Sequence, residues 1–189
     1  MGTGLSHHSS WRRWAGSALL LALTGILAGH VRAQSLSERE ARIAYLYNFA
    51  KFVEWPAEAL PPRAAISFCV LGDHSLGGEL ENAARGREIA GHRVLVSTVT
   101  PDGALRGCHL LYVTGLDQKR TTDLLAATTG APVFTVSDEQ RFAERGGVAT
   151  LVFEGGRPRF VFNVDTAQRA HLVISSRLLA LASIIKDRS

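Results

Sequence analysis

Residues 66–85 read ISFCVLGDHSLGGELENAAR, and this stretch contains the pattern that decides the fold. Ile66 to Leu71 is a short apolar run typical of a buried strand, and Ser75 to Arg85 has the composition of a helix. The same alternation continues downstream, where we predict strands at Arg93 to Val99, Leu110 to Thr114 and Val133 to Val136, and a helix at Gln118 to Thr128. Strands that alternate with helices predict a parallel sheet.

The C-terminal part of the chain departs from this alternation. Two strand-like runs, Val148 to Phe153 and Arg159 to Val164, are joined by the glycine-containing segment 154–158, which predicts an antiparallel hairpin. Asp165 is then expected to cap a last helix from Thr166 to about Ile185. The predicted fold class is therefore α/β, with three layers, a mostly parallel sheet, a C-terminal antiparallel hairpin and flanking helices.

Upstream of the first strand, the sequence predicts another helix. Ser37 and Glu40 have the spacing of a capping box, and the helical pattern extends to about Trp55, where Pro56 follows. Apolar residues recur on one side of this helix at helical spacing, which predicts a face buried in the core: Ile43, Leu46, Tyr47, Ala50 and Val53.

The first 33 residues have the organisation of a secretory signal peptide. Arg12 and Arg13 precede an apolar run at 15–28, and Val31-Arg32-Ala33 supplies a cleavage site after Ala33. The run is shorter than the roughly twenty residues of a membrane span, so cleavage is preferred to an uncleaved N-terminal anchor. We expect export to the periplasm and one domain over residues 34–189.

The charge of the mature chain argues against nucleic acid as a partner. Arg12, Arg13 and Arg32 leave with the predicted leader, so 18 basic residues face 17 acidic ones. A protein that binds nucleic acid through its phosphates needs a marked basic excess.

The two cysteines, Cys69 and Cys108, both lie in the predicted mature chain. In an oxidising compartment an even pair predicts a disulfide, whereas two buried free thiols would be the alternative in the cytosol. A doubly wound sheet of strand order 2-1-3 places the first and third strands side by side, which would bring the two cysteines within bridging distance.

No complete catalytic or metal-binding constellation is present in the sequence. Ser75 lies where α/β enzymes place a nucleophile, but its neighbours match no hydrolase signature, and the alternative is a tight turn that begins a helix. The histidines at 74, 92, 109 and 171 are scattered, and no glycine-rich nucleotide loop occurs. We therefore predict no enzyme activity, no metal and no cofactor.

A small ligand has one candidate site in the sequence. Arg169 and His171 near the predicted last helix, with Asn163 at the end of the hairpin, could bind a small anionic or aromatic molecule. The alternative for the two cations is that they are solvated helix charges.

Several motifs resemble those of a known family. The segment 44–56, AYLYNFAKFVEWP, resembles the signature with which YfiR-family domains begin. Segments 146–148, 162–164, 167–170 and 174–181 resemble the family's C-terminal block, and 108–113 its middle strand. The residues that carry the two main motifs are Tyr45, Asn48, Phe49, Lys51, Phe52, Trp55, Pro56, Gly146 and Gly147.

The resemblance implies a periplasmic regulatory binding protein of α/β fold. The better-known members repress an inner-membrane diguanylate cyclase by binding its periplasmic region, and an outer-membrane lipoprotein sequesters them. Others work with a sensor kinase or a transporter, so a small-ligand sensor is the alternative function, and homodimerisation is open. Cys69 and Cys108 match a cysteine pair of the family. A second pair near the hairpin has no counterpart here at 142–151.

Overall fold

Strand β2 (Ile66–Leu71) lies at the centre of the main sheet and has a parallel partner on each side. The computed structural model describes residues 38–187, of which those from residue 39 onward belong to one compact unit. The predicted leader, its cleavage point after Ala33 and the capping residue Ser37 lie outside the described residues. The helices are α1 (38–51), α2 (His74–Ala84), α3 (Gln118–Thr128), α4 (Val164–Arg169) and α5 (Ser176–Leu179).

Ten strands are assigned in the described part of the chain. They are β1 (Val53–Glu54), β2 (Ile66–Leu71), β3 (Glu88–Ile89), β4 (His92–Val99), β5 (Leu110–Val113), β6 (Phe134–Ser137), β7 (Ala149–Glu154), β8 (Arg157–Asn163), β9 (Val173–Ile174) and β10 (Ser183–Ile185). Eight of them form one sheet in the order β10-β8-β7-β6-β5-β2-β4-β3, and β1 pairs with β9 separately.

The sheet has the predicted topology. Strands β4, β2, β5, β6 and β7 are mutually parallel, and β7 and β8 form the antiparallel hairpin. The first predicted strand, β2, lies between the second, β4, and the third, β5, so the expected 2-1-3 order is confirmed.

The core lies on both faces of the sheet. Phe68 and Val70 of β2 contact an apolar cluster that includes residues of α1 and α2, whereas Cys69 and Leu71 contact a second cluster with residues of α3. Because side chains alternate along a strand, this division follows from the continuous apolar run at residues 68–71 of β2. The result is the predicted three-layer α/β arrangement.

The disulfide between Cys69 and Cys108 is confirmed. Cys69 is in β2 and Cys108 lies just before the adjacent strand β5, with a Cα–Cα distance of 5.8 Å. Both side chains are buried, in the second cluster. The neighbouring strands hold the two residues within the distance that a disulfide requires.

The prediction of one long last helix from Thr166 to Ile185 is wrong. Helix α4 ends at Arg169, His171 adopts a left-handed φ of 56°, and the chain then forms β9, α5 and β10. Val173 and Ile174 are β-branched, and a strand pairing with β1 outweighs their weaker preference for helix. The predicted cap is also different, because the side chain of Asn163, not Asp165, accepts the Thr166 N–H.

The N-terminal helix is shorter than predicted. It ends at residue 51, and β1 begins two residues later, so the apolar Val53 points into the core from a strand. Within residues 38–187, none of the helices combines the length and the hydropathy that a membrane span requires.

Candidate functional site

Strands β1 and β9 bring together the two sequence motifs of the chain. Val53 is paired with Ile174 and Glu54 with Val173 in an antiparallel ladder, and the Ser175 N–H donates to the Phe52 carbonyl at 2.8 Å. Segment 44–56 and the C-terminal block at 174–181 are therefore in direct contact, although more than a hundred residues separate them in the chain.

The outer side of this ladder is exposed and includes two large apolar side chains. Val53 and Ile174 point towards the core, so alternation directs Phe52, Glu54 and Val173 outwards. Phe52 is 37% exposed and Val173 is 60% exposed. We name the surface formed by Phe52, Glu54, Val173 and Ser175 the ladder face.

Two aromatic residues of the N-terminal motif are structural. Phe49 is buried against the rings of Phe160 and Phe162, with centroid distances of 5.3 and 5.5 Å. Tyr45 lies edge-on to Phe160 at 5.0 Å. These edge-to-face contacts pack α1 against the C-terminal hairpin. Packing alone is therefore sufficient to explain why the motif has aromatic residues at positions 45 and 49.

Trp55 and Pro56 shape the connection after β1. The Trp55 indole N–H donates to the His109 carbonyl at 3.1 Å, and the Pro56 carbonyl accepts the Ala59 N–H at 2.9 Å. The imidazole of His109 continues the network: its Nδ1 accepts the Ser67 N–H at 2.9 Å, and its Nε2 lies 3.0 Å from the Ala59 carbonyl. This pattern requires the neutral ring with its proton on Nε2.

The surroundings of His109 predict a loss of stability in acid. Burial lowers the pKa of His109 because it disfavours the charged form of the ring, and the nearby His92 acts in the same direction. The unfolded chain then binds a proton more readily than the folded chain. The stabilisation is complete above a pH of about 6.5 and decreases as the pH falls towards the folded pKa.

We expect the free energy of unfolding, measured by urea titration, to decrease from pH 7.5 to pH 5.0. The decrease should be smaller in His109→Gln than in the parent chain. In the control His74→Gln, which alters an exposed histidine at the start of α2, the decrease should be as large as in the parent. An equal decrease in the parent and in His109→Gln would contradict this role of His109.

Two other residues of the N-terminal motif, Asn48 and Lys51, are exposed on α1. They line a groove of about 540 Å³ between α1 and α2. In the groove, the Lys51 Nζ lies 4.6 Å from the ring centroid of Tyr47, and the Arg87 guanidinium lies 5.5 Å from the same centroid. The groove is thus a surface of mixed charge in which two cations approach one aromatic ring.

The glycines of the second motif have steric roles. Gly146 adopts a φ of 102° after a short 3₁₀ turn, a conformation that glycine adopts without strain. A Cβ atom on Gly147 would lie 2.2 Å from the Phe142 ring, so only glycine fits there.

The three predicted ligand-binding residues lie in different environments. Asn163 is buried, and its amide donates to the Ala143 carbonyl and to Asp187 while its oxygen caps α4. Arg169 pairs with Asp187 and lines a cavity of about 250 Å³ that also contains Arg145. His171 is exposed at the end of α4 and does not line that cavity. A ligand-binding role for the three residues stays a prediction.

The carboxyl edge of the parallel strands is where doubly wound sheets bind ligands, and here the chain fills it with its own side chains. Arg39 of α1 binds both carboxylate oxygens of Asp73, at 2.9 and 3.2 Å, and also Glu79 at 2.9 Å. Asp73 follows β2 and caps α2. The Arg39 guanidinium holds the pKa of Asp73 below its usual value despite partial burial.

A second arginine of α1, Arg42, lies near the ends of strands β6 and β7. Arg42 is 3.9 Å from Asp138, which follows β6, and 5.4 Å from the Phe153 ring centroid. Its Nε is buried and has no hydrogen-bond partner among residues 38–187. Burial, with the nearby Asp138 carboxylate, raises the pKa of Tyr112, so its hydroxyl stays protonated.

These polar residues were not predicted from the sequence. Two features of the sequence could have indicated these ion pairs. Asp73 and Asp138 closely follow two strands, and two arginines lie three residues apart on α1. Since the ion pairs occupy the position of a ligand, a substrate would have to displace Arg39 or Arg42 to bind there.

The structure gives Ser75 a partner other than histidine. Its hydroxyl donates to Glu79 at 3.1 Å, and Glu79 is itself held by Arg39. The Glu79 carboxylate is thus already engaged in an ion pair, so this geometry does not favour nucleophilic catalysis. Within residues 38–187, no three His, Cys, Asp or Glu side chains are arranged to hold a metal ion.

Comparison with known proteins gives one family and one fold. A family model described as YfiR/HmsC-like matches residues 39–183. No curated protein matches the sequence. Among solved structures, a conserved domain protein from Vibrio cholerae O1 biovar El Tor strain N16961 is similar, with 17% identity and a TM-score of 0.50. The similarity covers 69% of this chain and 57% of that protein, and at this identity it concerns the fold alone.

Proposed function

This chain belongs to the YfiR/HmsC-like family, and from that premise we propose that it represses an inner-membrane diguanylate cyclase by binding the periplasmic region of the cyclase. Family membership indicates a periplasmic regulator. The buried disulfide agrees with that compartment, because such bonds persist where the environment is oxidising.

The carboxyl edge of the sheet supports a binding protein over an enzyme. Arg39 and Arg42 fill the position where an α/β enzyme would place its substrate, and they pair with Asp73, Glu79 and Asp138. Both guanidinium charges are therefore paired with carboxylates of the same chain. Function is therefore better assigned to an outer surface than to a crevice.

The observation that carries the proposal is the exposed ladder face. Phe52 belongs to the N-terminal motif and Val173 directly precedes the C-terminal segment 174–181, and both remain in solvent, whereas the motif residues Tyr45 and Phe49 are used in packing. An exposed aromatic side chain beside an exposed aliphatic one is typical of the centre of a protein interface. We assign the contact with the cyclase to this face.

The experiment is a deletion followed by complementation. Deleting the gene should raise cyclic di-GMP, and the rise should vanish in a strain that also lacks the cyclase, because a repressor acts only through its target. The parent chain should restore the low level. Val173→Glu should not restore it, because it removes an apolar contact and places a second carboxylate directly opposite Glu54, where like charges repel.

Ala127→Glu is the matched control, since it adds the same charge at an exposed position of α3. It should restore repression as well as the parent does. Equal periplasmic amounts of the variants, checked by immunoblot, separate loss of binding from loss of protein. Unchanged cyclic di-GMP after deletion would rule out the cyclase as the target, and full repression by Val173→Glu would rule out the ladder face.

A further inference from the structure

The groove between α1 and α2 extends along most of α1. Arg39 at the start of α1 pairs with Asp73, the residue that caps the start of α2. Towards the other end of α1, the guanidinium of Arg87, which follows α2, lies 5.5 Å from the ring centroid of Tyr47. The two helices therefore run side by side in the same direction, and the residues of α1 that line the groove reach from Glu40 to Lys51.

Opposite charges line the two ends of this groove. Glu40 lies in the first turn of α1 and Lys51 is its last residue, so the two are about 16 Å apart along the helix axis. Arg87 adds a second cation at the Lys51 end. Glu79 adds a second carboxylate towards the Glu40 end, where Arg39 already pairs with it. The groove thus has a negative end and a positive end.

The two cations at the positive end approach the same aromatic ring. The Lys51 Nζ lies 4.6 Å from the ring centroid of Tyr47, and the Arg87 guanidinium lies 5.5 Å from it. Like charges brought together in this way repel each other. In the described part of the chain, neither cation belongs to an ion pair. This end is therefore suited to a carboxylate that a ligand supplies.

The middle of the groove is suited to a peptide backbone. Asn48 of α1 and Asn82 of α2 line it, and side-chain amides can both donate to and accept from peptide groups. Ala44 and Ala83 also line it, and their small side chains leave room for a main chain. The volume of about 540 Å³ is within the range of ligand sites in proteins.

We propose that this groove binds a short extended peptide with free termini, its carboxylate at Lys51 and Arg87 and its ammonium group at Glu40. An extended chain spans about 3.3 Å per residue, so about five residues reach from one end to the other. The charges of a single amino acid are too close together to do so. Hydrolysis of longer polypeptides supplies such molecules, each with one free ammonium and one free carboxylate group.

The first test uses the full chain, expressed with its own leader and purified, and pentaalanine with free termini as the probe. Isothermal titration calorimetry should show binding with a dissociation constant between about 10 µM and 1 mM, as an open groove allows. Acetylating the amino terminus or amidating the carboxyl terminus should each weaken binding about fivefold, because each removes one ion pair. Dialanine should bind more weakly still, since it cannot reach both ends.

The second test places the peptide in the groove. Lys51→Met combined with Arg87→Met should weaken the binding of pentaalanine about tenfold. The same variant should bind the amidated peptide as the parent does, because that peptide lacks the carboxylate on which the cations act. The matched control combines Lys119→Met with Arg120→Met, which removes the same charge from the exposed surface of α3. This control should bind pentaalanine like the parent.

Four results would overturn the proposal: no binding of millimolar pentaalanine, equal binding of the free and capped peptides, equal binding of dialanine, or an equal loss in the control variant. Circular dichroism verifies that each variant is folded, and the capped peptides test the site on the parent chain alone. The groove contains no residue of the ladder face. Val173→Glu should therefore bind pentaalanine as the parent does, whether or not the chain represses a cyclase.

Discussion

Replacing Cys69 and Cys108 with alanine is expected to lower the free energy of unfolding by about 4 kcal/mol, within the range of roughly 2 to 5 for native disulfides in small exported domains. The bond closes a loop of 39 residues and therefore restricts the unfolded chain strongly. For one domain of this size the loss is a large fraction of the total stability. Alanine is preferred to serine because both positions are buried, and a serine would leave an unpaired hydroxyl there.

Urea unfolding measured with and without reductant provides the comparison. The reduced parent should unfold at nearly the same urea concentration as the double variant, and the oxidised parent at a much higher one. In the cell the variant should be scarce, because its unfolded fraction is exposed to periplasmic proteases. If reduction, confirmed by mass, left the parent's midpoint unchanged, the bond would not stabilise the fold.

Phe49→Ala is expected to cost about 3 to 5 kcal/mol of stability, as large aromatic side chains in a close-packed core do. Phe49 is 1% exposed and contacts the rings of Phe134, Phe160 and Phe162. The substitution therefore opens a cavity between α1 and the hairpin. Chemical denaturation monitored by circular dichroism measures the loss.

Phe52→Ala is the matched control within the same motif. The residue type and the substitution are the same, three positions along the chain, but Phe52 is 37% exposed on the ladder face. We expect its stability to change by less than about 1 kcal/mol, since little apolar area is removed from the core. The proposed repression of the cyclase should fall in this variant. Similar stability losses in the two variants would mean that the motif has one structural role throughout.

The central strands could be predicted because their signals are local. Ile66–Leu71 is apolar except for Ser67, and Asp73 and Asp117 cap the helices that begin after β2 and β5. The parity of the cysteines and the adjacency of β2 and β5 were sufficient for the disulfide. Each of these inferences depends on short segments whose pattern is unambiguous.

The C-terminal segment could not be predicted in the same way, because its structure depends on a distant partner. Val173 and Ile174 form a strand only because Val53 and Glu54 lie beside them. A helical pattern read from residues 166–185 contains no information about that pairing, and tertiary contacts override weak local preferences.

The candidate site was only partly visible in the sequence for a related reason. Phe49 and Phe52 belong to one motif and have the same side chain, and only the end of α1 at residue 51 separates the buried one from the exposed one. Asp73 and Asp138, which pair with Arg39 and Arg42, likewise come from loops after β2 and β6. The sequence identified the motifs, and the fold shows which of their residues remain available to a partner.

The pairing of β1 with β9 also determines when this surface exists during the life of the chain. If the leader directs export as predicted, residues 52–54 cross the membrane before residues 173–175. The ladder face is incomplete until both strands have arrived. A chain that stalls in translocation or ends prematurely carries only the β1 half of the ladder face. Because the face needs both strands, only a chain whose residues up to β9 have been exported can present it to a partner.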